Sequence, residues 1–230
     1  MPGLSELEKI IGYEFRDKEL LKTALIHSSY ASEKGLGYSR NNERLEFIGD
    51  AYVDAVVGTR LFEIMGDAHE GPLSRYRADV VCEAALADAA SDISLGDFLY
   101  LGNGEDANGG RKKASILSDA FEALMGAIML DGGYDECSRI ILCILGNKIE
   151  QAASGSLNRD FKTRLQERVQ EKDKSAKIEY RLSGESGPDH NKTFETELII
   201  NGKMCGKGKG SSKARAEQAA AEDALSKGVY

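Results

Sequence analysis

The 230-residue chain is 41% hydrophobic and 30% charged, a composition that can bury one large core or two modest ones. Its first residues, MPGLSELEKIIGYEF, are acidic where an export signal would be basic, and its longest apolar run, residues 140–145, is far shorter than the roughly 20 residues of a membrane-spanning helix. We therefore expect a cytoplasmic protein that does not interact with membranes.

Cysteine and histidine are scattered along the chain. The cysteines, none in CxxC spacing, are Cys82, Cys137, Cys143 and Cys205. This pattern gives no zinc site, no disulfide framework and no Ser-His or Cys-His nucleophile. Any catalytic chemistry must therefore use carboxylates.

The net charge of −8 is divided unevenly between the two parts of the chain. Residues 1–152 contain 15 Lys and Arg against 26 Asp and Glu, whereas residues 153–230 contain 15 against 12. The first part is too acidic to attract phosphates unaided, and the mildly basic second part can supply that attraction.

The first predicted elements are helices. Residues 4–31 have a mostly helical pattern, and residues 32–42 are a loop. The following segment, NNERLEFIGDAYVDA at residues 41–55, is predicted to be an α-helix with Asn41 or Asn42 as its N-cap.

This helix carries one stripe of carboxylates. On a wheel of 100° per residue they lie within about 80° of one another: Glu43, Glu46, Asp50 and Asp54. The predicted core face lies on the far side: Leu45, Ile48, Tyr52, Ala55 and Val56. Phe47 and Val57 flank the acidic stripe instead, so we expect another surface to cover that side of the helix.

The acidic stripe has two explanations, a solvated charged face or a cation site. Like charges at i,i+3 and i,i+4 destabilise a helix by roughly 0.2–0.5 kcal/mol per pair. A stripe of carboxylates without interleaved lysine therefore favours a cation, and ligands that are all oxygen favour a hard ion such as Mg²⁺.

Further carboxylates occur later in the chain. Pro72 is predicted to be the first residue of a helix, which puts Glu70 just outside its start. Residues 114–130 are predicted to form a long buried helix, on which Asp119 and Glu122 lie one turn apart and off the apolar stripe. These two acids are either a solvated edge or additional metal ligands.

A small polar stretch, residues 152–158, is predicted to link an all-α domain over residues 1–151 to an α+β domain over residues 159–228. The predicted order of the second domain is αβββα: a helix over 160–172, strands over 177–182, 193–200 and 203–207, and a helix over 211–226. Asn201-Gly202 is a strong signal for the hairpin between the last two strands.

Basic residues bracket the start of the last helix: Lys207, Lys209, Lys213 and Arg215. Cations oppose the dipole at a helix N-terminus, so helix stability does not explain them. Ser211 or Ser212 is a suitable N-cap, and backbone N–H groups with nearby cations are typical of phosphate binding. Ordinary solubility lysines are the alternative.

Together these segments resemble the bacterial ribonuclease III family. NNERLEFIGDA at residues 41–51 matches its signature, SILSDAFEALMGAIMLDGG at residues 115–133 matches its second acidic segment, and residues 159–228 resemble a double-stranded-RNA-binding domain. The resemblance implies an all-α endonuclease domain followed by an αβββα RNA-binding domain. It further implies Mg²⁺-dependent hydrolysis of double-stranded RNA to 5′-phosphate and 3′-hydroxyl ends with short 3′ overhangs, in rRNA and mRNA processing.

The resemblance also implies roles for particular carboxylates. By position, the metal-binding and catalytic acids of the family fall on six residues: Glu43, Glu46, Asp50, Glu70, Asp119 and Glu122. Asp50 and Glu122 would be central to metal binding and hydrolysis, with Glu46 and Asp119 supporting the same site. Glu43 and Glu70 would lie in the cleft near the RNA, and Asp54 matches none of the acids of the family. The expected ion is Mg²⁺, for which Mn²⁺ can substitute.

Partners follow from the resemblance as well. The family forms homodimers through the signature helix, which would cover Phe47. The matching RNA-contact positions are Thr163, Gln166, Glu167, Gln170, Pro188, His190, Ser211, Ser212, Lys213 and Arg215. Ala214 and Ser118 depart from the usual family residues. The alternative function is a non-catalytic protein that binds double-stranded RNA and keeps the acidic helix for dimerisation only.

Overall fold

A computed structural model describes residues 3–37, 40–154, 161–187 and 192–228. The chain forms two compact units, residues 1–157 and residues 158–230. Most of the predicted linker lies outside the described residues, so its bounds stay a prediction.

The first unit is helical, as predicted. Its α-helices are α1 (Leu4–Ile11), α2 (Lys18–Ala24), α3 (Ser28–Glu33), α4 (Glu43–Met65), α5 (Glu70–Val81), α6 (Glu83–Asp92), α7 (Asn103–Ala107), α8 (Ala114–Gly132) and α9 (Tyr134–Ala153). Two short 3₁₀ helices, Leu95–Phe98 and Gly110–Lys112, precede and follow α7. None of the helices described is both long and apolar enough to cross a bilayer.

The crossing of α4 and α8 is the structural centre of this unit. Helix α8 is buried along most of its length, and it packs against α2, α4, α6 and α9. Gly49 of α4 lies against the backbone carbonyl of Glu122, and Gly126 of α8 lies against the carbonyl of Leu45. A Cβ at either glycine would collide with those carbonyls, so both positions require glycine for the helices to approach this closely.

The core face of α4 differs from the wheel prediction. Its buried residues are Leu45, Gly49, Val53, Val56, Val57 and Leu61. Val57 is therefore buried, although the wheel put it beside the acids, whereas Ala55 is exposed and Tyr52 is only half-buried. The prediction was wrong because α4 is covered by α5, α8 and α9 from more than one side, so its buried face adjoins the acidic stripe.

The second unit has the predicted αβββα order. Its elements are α10 (Phe161–Lys172), β1 (Ile178–Ser186), β2 (Thr193–Ile200), β3 (Lys203–Gly210) and α11 (Lys213–Ser226). The strands form one antiparallel sheet in the order β1-β2-β3, with Asn201 and Gly202 at positive φ in the hairpin turn. Strands β1 and β3 are longer than predicted. A register shift between Leu182 and Gly184 lets β1 continue through a segment that the sequence assigned to a loop.

The core of the second unit lies between the sheet and the two helices. Leu165 and Val169 of α10 meet Leu198 and Ile200 of β2 in one buried cluster. Helix α11 contributes small residues to that cluster, Ala220, Ala221 and Ala224. Alanine on this face, together with Gly206 and Gly208 of β3, allows α11 to approach the strand closely. Residues 211–215, at the N-terminal end of α11, are exposed.

Candidate metal centre and RNA-binding surface

Carboxylates from two helices meet at the α4–α8 crossing. Ligand oxygens of Glu46, Asp119 and Glu122 all lie within 4.8 Å of one another; we call these three residues the acidic trio. Opposite ligands of an octahedral Mg²⁺ are about 4.2 Å apart, so small side-chain rotations suffice for the trio to share one ion. The donor set is all oxygen and fits a hard divalent cation.

The electrostatics of the trio also fit a cation. Burial, the largest cause, and the nearby charges of Asp50, Glu46 and Asp119 together raise the pKa of Glu122 to about 7. Burial also raises the pKa of Glu46, with Asp119 and Glu43 adding to the effect. Burial therefore disfavours ionisation of all three carboxyls, acidic neighbours add to this for Glu46 and Glu122, and a bound cation would stabilise the ionised forms.

Asp50, Glu43 and Glu70, the other predicted acids, are not members of the trio. Asp50 is exposed, and its charge is the strongest of those that raise the pKa of Glu122. Glu43 is exposed at the first position of α4 and acts on Glu46. Asp54 lies 3.8 Å from Arg77 in an ion pair, and its charge makes a smaller contribution to the raised pKa of Glu122.

Glu70 is separate from this cluster. It is the first residue of α5 rather than a residue outside it, since α5 starts two residues before Pro72. Its carboxylate is exposed and accepts a hydrogen bond from Ser74 Oγ at 2.7 Å. Glu70 is not among the charges that raise the pKa of Glu46, Asp119 or Glu122.

Two residues near Asp119 were missed by the sequence reasoning. Burial raises the pKa of Asp119, a hydrogen bond from Ser118 and the charge of His27 lower it, and the charge of Glu83 raises it. His27 and Glu83 come from the segments before α3 and at the start of α6. Neither had a sequence signal, because their proximity to Asp119 exists only after α8 has packed.

Ser118 has a contact that explains a polar residue at this buried position. Its hydroxyl lies 2.9 Å from the carbonyl oxygen of Ser115 and 3.3 Å from Oδ1 of Asp119. The hydroxyl can donate to either oxygen, which satisfies its hydrogen-bonding capacity inside the helix and restrains the Asp119 carboxylate.

The start of α11 is the predicted phosphate site of the second unit. Ser212 is the N-cap, and its Oγ accepts a hydrogen bond from the backbone N–H of Arg215 at 3.3 Å. The Arg215 guanidinium donates to Ser211 Oγ at 3.0 Å. Together with the exposed Lys213, these residues combine hydroxyls, N–H donors and two cations at one helix end.

The sequence pattern offered Lys207 and Lys209 as cations of the phosphate site at the start of α11, but each forms an ion pair with a glutamate. Both lie on β3, where Lys207 forms an ion pair with Glu197 at 2.8 Å and Lys209 forms one with Glu195 at 2.5 Å. The register of β2 and β3 places each lysine directly opposite its glutamate. Cross-strand pairing therefore already explains these two lysines.

The remaining RNA-contact candidates among the described residues lie on α10. Gln166, Glu167 and Gln170 are exposed on α10, and Thr163 is half-buried. Gln166 and Gln170 are one turn apart and so lie on the same side of the helix. Pro188 and His190 lie outside the described residues.

Helix α4 also exposes two phenylalanines. The side chain of Phe47 is 77% exposed and that of Phe62 is 66% exposed. Solvation of two large aromatic rings on one helix is unfavourable, so an additional surface is expected to cover them.

Comparison with known proteins matches both units. Residues 17–149 match the family model described as ribonuclease-III-like, and residues 161–227 match the double-stranded RNA binding motif. Ribonuclease 3 of Caldanaerobacter subterraneus subsp. tengcongensis is 50% identical, over 97% of this chain and 97% of its own length. Ribonuclease 3 of Listeria welshimeri is 42% identical, over 96% of this chain and 95% of its own length.

Solved structures match the first unit. The nuclease domain of ribonuclease III from Campylobacter jejuni, solved at 2.2 Å, is 44% identical with a TM-score of 0.59, over 64% of this chain and 96% of that chain. A second structure of that domain, described for structural flexibility in a region involved in dimer formation, gives the same identity and TM-score and is covered to 98%.

Proposed function

Because the chain belongs to the ribonuclease III family of endoribonucleases that act on double-stranded RNA, we propose that it is a Mg²⁺-dependent member of that family. Its products carry 5′-phosphate and 3′-hydroxyl ends with short 3′ overhangs. Its cellular substrates are duplex segments of rRNA and mRNA precursors, and it acts in the cytoplasm.

The acidic trio is the observation that carries this proposal. Two helices supply three carboxylate oxygens within 4.8 Å of one another, and their mutual repulsion contributes to a Glu122 pKa of about 7. An arrangement this unfavourable in the absence of a cation is expected at a functional site rather than on a structural surface.

We assign separate roles to the carboxylates. Glu46, Asp119 and Glu122 hold the ion, and Asp50 lies beside Glu122 where it completes the ligand set. The ion supplies Lewis-acid chemistry, since it neutralises charge that develops on the phosphate and makes water easier to deprotonate. The exposed Glu43 and Glu70 orient water or RNA groups at the rim of the cleft.

The second unit supplies most of the attraction for the duplex. Lys213 and Arg215 neutralise phosphates, while Ser211, Ser212 and the N–H groups of α11 donate to phosphate oxygens. Gln166, Glu167 and Gln170 contact 2′-hydroxyls and base edges in a minor groove, as shape recognition of A-form RNA requires. Thr163, Pro188 and His190 are further contact candidates.

We propose that the enzyme is a homodimer in which α4 packs near its counterpart and Phe47 is covered by the partner. The exposure of Phe47 and Phe62 on α4 supports this assembly. A Campylobacter jejuni relative has a region involved in dimer formation in its nuclease domain. Two catalytic units would then cut one strand each.

The non-catalytic alternative is disfavoured by the same helices. A protein that only bound RNA would need no carboxylates from α8 beside those of α4, and it would lose stability through their repulsion. Similarity to Ribonuclease 3 proteins over nearly the whole chain also favours the enzyme.

A cleavage assay tests the proposal. Purified protein is incubated with an end-labelled RNA duplex in EDTA, Mg²⁺ or Ca²⁺, and both binding and product ends are measured. We expect binding in all three conditions, cleavage in Mg²⁺ only, and 5′-phosphate ends on the products. Binding without cleavage in Mg²⁺ or Mn²⁺ would contradict the enzymatic assignment.

A further inference from the structure

Lys162 lies where a cation does not stabilise its own helix. Helix α10 begins at Phe161, so Lys162 is in the first turn, where the helix dipole disfavours positive charge. Its side chain is 36% exposed and belongs neither to the hydrophobic core of the second unit nor to the set of expected RNA contacts. A contact outside α10 must therefore explain a lysine at this position.

Three contacts hold Lys162 against the rest of the second unit. Its Nζ forms an ion pair with Glu217 of α11 at 2.5 Å and lies 4.6 Å from the ring centroid of Tyr180 on β1. Its backbone N–H donates to Oε1 of Gln218 at 3.1 Å. Because the ammonium lies between a carboxylate and an aromatic face, this ion pair is better restrained than an isolated pair on a protein surface.

Glu217 is the acid nearest in sequence to the predicted phosphate site at residues 211–215. It follows Lys213 by four residues, so the two side chains lie on the same side of α11, one turn apart. Opposite charges at this spacing attract each other. Glu217 nevertheless pairs with Lys162, and among the described residues none forms an ion pair with the exposed Lys213.

The charge of Glu217 would oppose RNA binding in two ways if Lys162 did not hold it. The carboxylate would pair with Lys213 and compete with a phosphate oxygen for the ammonium. It would also repel the phosphate directly, since like charges at such short range repel each other strongly. An ion pair between Glu217 and a cation of another helix removes both effects.

We propose that Lys162 is a positioning residue for RNA binding, which holds Glu217 and so keeps Lys213 available to a phosphate of the duplex. Lys162 itself does not touch the RNA. The inference rests on the proposed function, because it takes Lys213 as a phosphate contact. A cation on α10 thus preserves the binding capacity of a cation on α11.

Four substitutions test this role. Lys162→Met keeps a long side chain but leaves Glu217 without its cation, whereas Lys162→Arg retains the positive charge. Glu217→Gln removes the acid, and it is combined with Lys162→Met. Glu222→Gln, in the same combination, is the matched control, because Glu222 is an exposed acid of α11 that has no ion pair with any described residue.

Duplex binding by the full-length variants is measured in Ca²⁺ by fluorescence anisotropy over about 0.05–0.3 M salt, with thermal unfolding alongside. We expect Lys162→Met to weaken binding about five- to tenfold at about 0.1 M salt, because loss of one phosphate contact lowers the slope of log K against log salt by about 0.9. Adding Glu217→Gln should restore both affinity and slope. Adding Glu222→Gln should restore neither, and Lys162→Arg should bind like the wild type.

Several results would overturn the inference. Wild-type affinity in Lys162→Met would show that the ion pair has no role in binding. A Lys162→Met/Glu217→Gln protein that binds as weakly as Lys162→Met would show that Lys162 contacts phosphate itself. Equal recovery with Glu222→Gln would show that net charge, and not the pair, sets the affinity.

Two further variants keep the test decisive. If Lys162→Met does not fold, Lys162→Gln takes its place with the same expectations, since its amide reaches towards Glu217 but carries no charge. Lys213→Met tests the premise: unchanged duplex binding by this variant, or no binding by the wild type, would reject the phosphate contact of the proposed function. Loss of binding in Lys213→Met with unchanged binding in Lys162→Met would reject only the role of Lys162.

Discussion

The two units of this protein treat their carboxylates in opposite ways. In the nuclease unit, none of the described residues forms an ion pair with Glu46, Asp119 or Glu122, and the pKa of each of these three carboxyls is raised. In the second unit, Glu195 and Glu197 lie opposite Lys209 and Lys207, and the pKa of Lys207 is raised by its hydrogen bond to Glu197.

This difference separates a binding site from a structural surface. Each of the two glutamates on the sheet forms an ion pair with a lysine of the same chain, so its negative charge is stabilised without a bound cation. A glutamate in the trio has only acidic neighbours, and its charge is stabilised only when a cation binds. Acid content alone therefore does not distinguish a metal site from a charged surface, whereas clustered acids without cationic partners favour a metal site.

The largest expected effect is on cleavage by Glu122→Gln. A bound ion contributes several kcal/mol to transition-state stabilisation, so loss of a central ligand should slow cleavage by about 10³-fold or more. Duplex binding in Ca²⁺ should be unchanged, because the variant leaves the RNA-contact residues proposed for the second unit intact. Cleavage rates and filter binding measure the two effects.

Asp54→Asn is the matched control for that variant. Asp54 lies on the acidic stripe of α4 that also carries Glu46, but it is paired with Arg77. We expect its variant to cleave at close to the wild-type rate. Equal losses in both variants would indicate that negative charge around the α4–α8 crossing, and not a specific ligand set, is what the reaction needs.

The next effect is the pH dependence of metal binding. Glu122, with a pKa of about 7 in the metal-free protein, must lose its proton before it binds an ion. Apparent Mn²⁺ affinity should therefore fall about tenfold for each pH unit below 7 and level off above 7. Titrations between pH 5.5 and 8.5 measure the slope, and an affinity that does not change across pH 7 would contradict it.

The smallest expected effects are on the free energy of unfolding. Removal of one carboxylate charge should stabilise the protein when the charge is in the trio and destabilise it when the charge is on the sheet. The folded pKa of Glu122, about 7, lies above its ordinary value of 4.5, so the folded state holds this proton more tightly. The free energy of unfolding of the metal-free protein therefore falls as pH rises from 4.5 to 7. Glu122→Gln should remove this loss and stabilise the metal-free protein by about 0.5–1 kcal/mol at pH 8, after allowance for solvent screening.

Glu197→Gln is the counterpart on the sheet. It breaks the ion pair with Lys207, so it should lower the Tm of the protein slightly, and less so in high salt. Thermal unfolding in EDTA at pH 5 and pH 8 compares both variants. A Glu122→Gln protein that is less stable than the wild type at pH 8 would show that the trio is not repulsive.

The sequence alone predicts the features that depend on local pattern and on the chemistry of neighbouring residues. The αβββα order followed from alternation, helix periodicity and the Asn201-Gly202 turn, all of which are local properties. The pattern of acids without interleaved lysine indicates a cation at the stripe of α4, and Asp119 and Glu122 are acids off an apolar stripe. The family resemblance, and not the pattern, points to Glu46, Asp50, Asp119 and Glu122 as the metal ligands. Family resemblance removed Asp54 from the set, which the helical wheel alone retained.

Only the tertiary structure decided which of these groups meet. Gly49 and Gly126 are unremarkable in sequence, yet they allow α4 and α8 to approach closely enough for Glu46 to reach Asp119 and Glu122. The same packing buries Val57, exposes Ala55 and brings His27 near Asp119. A one-dimensional pattern records the face of a single helix, whereas a site made by several helices depends on their crossing and on what covers each side.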